Sequence, residues 1–593
     1  MTGKSRGLYF AEGSADASVI AEVSLPGSQK LHFYDEQVIR LIGTALPRWW
    51  QDCLREAQSP KEAWPHLQCA GDGAMGRYVN SEGAIPRRKG YAPPSGCISL
   101  VRNRQGPREP ATSGGVRRSN LAPGRLLVLS AGVLALAALA LLIASAFLAR
   151  GTGRHVLVIS VDGMGSSYYM QPVAGLKTPN IRRLMAGGSF AWAVEGVYPT
   201  LTYPSHTTIV TGRRPAEHGI YTNLSSRQPG KNPNGWFWFA KAIKVPTLWD
   251  EARAHHMTSA AVAWPVTVGA AIDWDVPEIW DPSKGQVSDP FYVMRFVNPL
   301  TVMELALAMG IPPRGSEDDA NRTKAACYFL TRHQPNLILL HLEALDRAEH
   351  HFGPHSPQAN SALERADAHI GEMLSAAKQA GLEISTDVVV LSDHGFLPVD
   401  QKVQPNVLLA RAGLLTTDSK GKIAGGRIAT VVNDGSFFIY WPQGSDVGAE
   451  VDSALKPLRD QGLVQAVFDQ EALHEMGADP EVRLALEAPA GVEYTAEANG
   501  PLVRTLSREE GTHGFLPSRQ GLESSFIAWG PDIRSGVELE RIRLTEIGPT
   551  ILEAMGIHDP TFGDRPPLDV IFKTANPGIV TCSHGKVSGH TSL

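Results

Sequence analysis

What this chain lacks narrows its chemistry before any motif is read. Five cysteines are spread over 593 residues, and three of them, Cys53, Cys69 and Cys97, fall in the first 115. The remaining two, Cys327 and Cys582, are far apart, so a disulfide framework is not indicated and a bound metal need not use thiolates. No G-x-G-x-x-G or Walker loop stands next to a strand, which leaves nucleotide-triphosphate motor chemistry without support. There is no basic stripe, and the formal net charge is -5. A nucleic acid would therefore be met as a substrate end and not as a stable partner. No internal repeat is visible.

What is present is a set of three apolar runs that each end in an acid: HVLVISVDG (155–163), NLILLHLEALD (336–346) and DVVVLSDHG (387–395). Continuous Val/Ile/Leu runs bounded by polar or glycine-containing turns read as strands buried on both faces of a parallel sheet. Their acids then lie at carboxyl ends of strands, where ligands bind in open α/β sheets. One such ending could be a strand whose last Asp caps a helix. Three of them, two with a histidine close by, point to a site.

The candidate ligands are Asp162, Asp346, His350, Asp393, His394 and His513. A mixed Asp/His set suits zinc, with manganese or iron next, whereas an all-oxygen set would suit magnesium or calcium. Asp346 and His350 are one helical turn apart and can face one ion. Asp393 and His394 are adjacent and can share an ion only where the chain turns off its strand, a turn that Gly395 would permit. Between the first two runs lies VEGVYPTLTYPSH (194–206). Its Thr202 opens a segment that reads as a turn entering a helix, where positive potential favours an alkoxide and a phosphate. Thr202 is a poor nucleophile unless a cation lowers its pKa. Without metal ligands it would be a simple helix-capping threonine.

Taken in order, YPTLTYPSHTTIVTG, HGIYTN, LDRAEHHFGP, LSDHGF and GTHGF resemble the nucleotide pyrophosphatase/phosphodiesterase branch of the alkaline phosphatase superfamily, over roughly residues 154–572. The resemblance implies an alkaline-phosphatase-like α/β fold, a central mostly parallel sheet flanked by helices, and two zinc ions per catalytic domain. Thr202 would be the nucleophile and would bridge toward both ions. Asp162, Asp393 and His394 would bind the ion that activates it, and Asp346, His350 and His513 the other. Asn223, in HGIYTN, would donate to a phosphoryl oxygen, although a plain turn asparagine fits the same position. Tyr203 matches an aromatic that can stack on a nucleobase, and core packing is the competing reading. The implied reaction runs through a phosphothreonine that water then hydrolyses, with a small phosphodiester or nucleotide as substrate.

Three departures bear on the substrate. Many nucleotide-cleaving relatives carry Lys where this chain has Leu201, Tyr where it has His341, and Glu-Pro where it has Ala344-Leu345. Phosphonates and simple alkyl or lipid-headgroup diesters, hydrolysed or transferred, stay open. A membrane-anchored binding protein on an inactive enzyme fold is the alternative of another class, and it would normally have lost a ligand. Nothing at Thr202 resembles the C/S-x-P-S-R motif of sulfatases.

Leu126 to Ala149 is 24 residues without a charge, enough to cross a hydrocarbon core of about 30 Å and longer than the core of a signal peptide. Arg102, Arg104, Arg108, Arg117, Arg118 and Arg125 precede it against the single acid Glu109. The positive-inside rule puts the amino side in the cytoplasm and the catalytic domain outside, periplasmic or extracellular. Ala144-Ser145-Ala146 resembles a cleavage site, which leaves a secreted form open. The expected organisation is an N-terminal extension with little structure (1–124), a transmembrane anchor (125–150), a catalytic domain (151–575) and a tail (576–593). Insertions are expected at about 224–335, a Trp/Pro-rich cap, and 400–510, an α+β subdomain. Trp236, Phe237, Trp238 and Phe239, with Trp264, Trp274 and Trp280, could wall a pocket mouth or form the core of that cap. A true start near Val116 is a further hypothesis, which detection of peptides from 1–100 in cells would reject.

Overall fold

In the computed structural model the described residues are three short N-terminal strands and residues 153–573, apart from 172, 226–234, 282–284, 287–294 and 310–318. The chain divides into two units, Met1–Leu129 and Ser130–Leu593. In the first, strands Leu8–Tyr9, Ala21–Ser24 and Lys30–Phe33 form an antiparallel sheet, in a stretch expected to have little structure. The apolar segment Leu126–Ala149 and the tail 576–593 lie outside the described residues. Among the described residues no helix is long and apolar enough to cross a membrane.

The second unit is built on an eight-stranded sheet. Its strands are β1 (His155–Val161), β2 (Ser189–Ala191), β3 (Ser259–Val262), β4 (Trp274–Val276), β5 (Leu337–Leu342), β6 (Thr386–Leu391), β7 (Phe526–Trp529) and β8 (Val537–Leu539). They lie in the order β8-β2-β7-β6-β1-β5-β3-β4. The three apolar runs become β1, β5 and β6, side by side and parallel at the centre. All of their residues are buried, as strands covered on both faces must be. Alternation divides them between two cores. Leu157 and Ile159 face one, with Ile370 and Met373 of the helix Pro357–Gln379. Val156 and Val158 face the other, with Ile209 and Val210 of the helix that carries Thr202. The sheet is mixed because β7 runs antiparallel to both β6 and β2. In chain order β7 is followed by β8, which closes the far side of the sheet beside β2.

Residues 224–335 supply β3 and the edge strand β4 of the central sheet. Those strands have four and three residues, too short for a period to register. The span 400–510 carries both strands and helices. A four-stranded antiparallel sheet (Ala429–Asn433, Ser436–Tyr440, Leu484–Glu487, Ala466–Asp469) packs on the helix Val447–Asp460 through Val451, Leu455 and Leu458. The insertion leaves along strand Leu397–Val403 and returns along Val503–Thr512, and these two pair antiparallel with Leu397 opposite Thr512. That pairing returns His513 to His394 across more than a hundred residues.

Candidate metal centre and nucleophile

Four of the six expected ligands, Asp162, Asp393, His394 and His513, sit just beyond a strand, and the other two lie within a helix. Asp162 follows β1 and precedes Gly163, whose φ of +76° turns the chain sharply. Asp393 and His394 follow β6. Gly395 is needed there for a different reason from the one expected: its φ is not positive, but a Cβ would run into the carbonyl oxygen of Gly521. Asp346 lies in the first turn of the helix Ala344–Phe352, not at a strand end, and His350 follows one turn later on the same helix.

The ligand atoms gather into two groups, Asp162/Asp393/His394 and Asp346/His350/His513, each within 4.8 Å. In the first, His394 Nε2 is 3.4 Å from Asp162 Oδ1 and 3.1 Å from Asp393 Oδ2. In the second, Asp346 Oδ1 is 3.5 Å from His350 Nε2 and 3.8 Å from His513 Nε2. The two imidazole Nε2 atoms are 3.2 Å apart. The groups adjoin, with the His394 and His513 rings stacked at 3.7 Å.

These residues fit a divalent cation on three counts. Asp162 Oδ1, Asp346 Oδ1, Asp393 Oδ2 and His394 Nε2 are buried without a hydrogen-bond partner, a costly arrangement unless something positive occupies the space. His350 Nδ1 and His513 Nδ1 donate to the carbonyl oxygens of Gly511 and Thr200, so their Nε2 lone pairs face each other and need a cation between them. Tetrahedral zinc, with bonds of about 2.0–2.2 Å, sets donor separations of roughly 3.3–3.6 Å, in the range observed. The charge balance agrees. Burial, then Asp393 and Asp346, push the Asp162 carboxyl well above its usual range, and burial with His394 and His350 nearby holds His513 well below, in its neutral form.

Thr202 is the first residue of the helix Thr202–Thr211, and Leu201 occupies the cap position, so Thr202 is not a capping side chain. Two tethers tie its segment of chain to the two groups. Two residues earlier, the Thr200 carbonyl accepts from His513 Nδ1 at 2.8 Å, while Thr200 Oγ1 donates to Phe515 O and accepts from the Gly514 N–H. One turn later, His206 Nδ1 donates to the Thr202 carbonyl at 2.8 Å and lies 3.5 Å from Asp393 Oδ2. Asn223 Oδ1 accepts from the Tyr203 N–H at 3.0 Å, which turns its NH2 group away from that contact.

Tyr203 does not offer the open ring face that base stacking requires. It is fully buried, edge-on to Trp236 at 5.2 Å, in a cluster with Ile220, Trp238, Val266 and Val268. The other tryptophans do not share one wall. Trp264 is buried against His206, and Trp274 stacks on His333 at the sheet edge. The side chain of Trp280 lies outside the described residues.

Four residues around the site, His206, Thr200, His341 and Glu278, were missed from the sequence. His206 had a signal, its spacing of four from Thr202. Thr200 was quoted in the motif without a role. His341 was noted only as a departure, yet it bonds Asp162 and Glu278, and Glu278 belongs to no motif.

Residues 156–515 match the family described as type I phosphodiesterase / nucleotide pyrophosphatase. The chain belongs to that family. Mouse ectonucleotide pyrophosphatase/phosphodiesterase family member 1 is 25% identical over 452 residues, 74% of this chain and 44% of the mouse protein. A venom phosphodiesterase of Macrovipera lebetinus is 26% identical over 417 residues, 66% of this chain and 42% of its own length. The chain thus spans less than half the length of these relatives. Human ectonucleotide pyrophosphatase/phosphodiesterase 5 superposes with a TM-score of 0.53 at 19% identity, over 71% of this chain and all of that one. An inactive variant of the murine counterpart, solved in complex with AMP, gives 0.51 at 20% identity over 69% and 96%. These likenesses show the shared α/β fold with its large mixed sheet.

Proposed function

We propose that this family member is a zinc-dependent hydrolase of phosphodiester or pyrophosphate bonds, acting through a phosphothreonine on Thr202. The observation that carries the reading is the pair of three-ligand groups beside the start of the Thr202 helix. Two zinc ions, held by Asp162/Asp393/His394 and Asp346/His350/His513, would supply Lewis-acid stabilisation of the attacking and leaving oxygens. Thr202 Oγ1 attacks phosphorus, the P–O bond to the leaving alcohol or phosphate breaks, and water then cleaves the phosphothreonine and restores the hydroxyl. The Thr200 and His206 tethers hold the threonine in place through both steps. Asn223, its Oδ1 engaged, presents its NH2 group to a phosphoryl oxygen as charge grows there. Its replacement by Ala is expected to lower kcat by about 10²–10³-fold with zinc content unchanged.

Nucleotide-type substrates are favoured by the family and by the AMP held in the murine relative. Leu201, His341 and the burial of Tyr203 favour a second reading, a phosphonate or lipid-headgroup diester. Hydrolysis of bis(p-nitrophenyl) phosphate, its monoester and a phosphonate ester, by protein of known zinc content, separates these from each other and from an inactive binding protein. No turnover of any of the three with two zincs bound rejects the enzyme reading. The segment Leu126–Ala149 would anchor the chain in a membrane with the catalytic domain on the extracytoplasmic face.

A further inference from the structure

Beneath the first metal group lies a buried chain of three ionisable side chains. His341, fully buried on β5, has Nε2 2.9 Å from Asp162 Oδ2 and Nδ1 2.7 Å from Glu278 Oε2, with the Ala263 carbonyl at 3.1 Å. Both ring nitrogens are thus engaged by carboxylate oxygens, which fixes the orientation of the imidazole. Glu278 is kept ionised by its surroundings: burial would raise it, but His341 and Arg322 hold it below the usual range. Arg322 in turn donates to the His341 carbonyl at 3.1 Å and pairs with Glu343 at 3.0 Å, which ties down the main chain at His341.

The consequence falls on Asp162. A free carboxylate can rotate, exchange its oxygens or chelate with both. Here Oδ2 is engaged by His341, and Oδ1, which has no partner, is the oxygen facing His394. Resting on the two-cation reading above, we propose that His341, backed by Glu278, is a positioning residue that holds Asp162 as a one-oxygen ligand. It thereby sets how tightly the first group binds zinc, without touching the second. The stretch 224–335 is tied to the metal centre by Glu278, a link that no motif announces.

The test is zinc binding by the full-length chain, read by competition with a chromogenic chelator and, after cobalt(II) substitution, by the visible spectrum. The wild type is expected to hold two ions. His341→Phe should weaken one of them by about 10–100-fold and leave the other unchanged. Glu278→Gln, which preserves shape, should weaken the same ion by less, and the double variant should be no worse than His341→Phe alone. If His341→Phe fails to fold, Glu278→Gln alone decides through its selective effect on one ion. Wild-type affinity at both sites in whichever variant folds, equal loss at both, or additive effects of the two substitutions would overturn the inference while leaving the proposed function intact. A wild type that binds no zinc would overturn both.

Discussion

The two ligand groups are made in different ways. Asp162, Asp393 and His394 hang on the ends of the central strands β1 and β6 and are almost wholly buried. Buried side chains and the Gly163 N–H engage the carboxylates: His341 on Asp162, Gly163 on Asp393 Oδ1, and His206 close to Asp393 Oδ2. Asp346, His350 and His513 come from a helix and a returning strand, their imidazoles are oriented by main-chain carbonyls, and the His350 side chain is 33% exposed. A dry, side-chain-locked site suits the activation of a fixed hydroxyl, since electrostatic interactions strengthen where water is excluded. A rim site suits the exchange of leaving group and water. The division of labour proposed for the two ions would follow this difference between the elements that carry the candidate ligands.

The hardest test of this contrast is Thr202→Ala. It should lower turnover on the order of 10⁴–10⁶-fold, as loss of a covalent nucleophile does elsewhere, while both ions stay bound. Loss of metal together with activity would mean that Thr202 had been misread. Chelation should separate the groups next. Zinc should leave in two phases, the less deeply buried group first, and a single phase would erase the distinction drawn from burial. Thr200→Val removes a buried hydroxyl that both donates and accepts, at an expected cost of about 1–3 kcal/mol in unfolding free energy. It should loosen the second ion only, as measured by denaturant unfolding and zinc affinity.

The smallest effect concerns His218, at the head of the loop that carries Asn223. Its Nδ1 accepts the Ile220 N–H, its Nε2–H donates to Thr208 Oγ1, and burial pushes it down to about 3. A depressed histidine stabilises the fold above its unfolded value of 6.5, and that contribution is lost as pH falls toward 3. Asp387, which burial pushes up to about 7, has the opposite sign: its contribution is present at low pH and fades as pH rises through about 7. Melting temperatures of wild type and His218→Gln should therefore converge as pH drops from 7 to 5. Parallel curves would show that His218 is not held neutral by the fold.

How much of this was legible in the residues varied with the length of the signal. The central strands were readable because each is a long apolar run, and Asp162, Asp393 and His394 stood out as candidates because they follow such runs. β3 and β4 were not readable, because SAAV and WDV are too short for an alternation to be recognised. The role of Tyr203 was legible only as an alternative, since burial depends on Trp236 and Val266 arriving from elsewhere in the chain. Glu278 was silent for the same reason. Its partner His341 is 63 positions away, and only the packing of β3 beside β5 brings their neighbourhoods together.

The antiparallel pairing of Leu397 with Thr512 gives the molecule a built-in tolerance to cutting. A protease that nicks the exposed turn between Asp418 and Lys422 severs one strand of chain. The halves stay joined by a ten-residue strand, Val503–Thr512, and by the core behind it. Such a nicked protein would run as two fragments under denaturing conditions yet keep its metal centre whole.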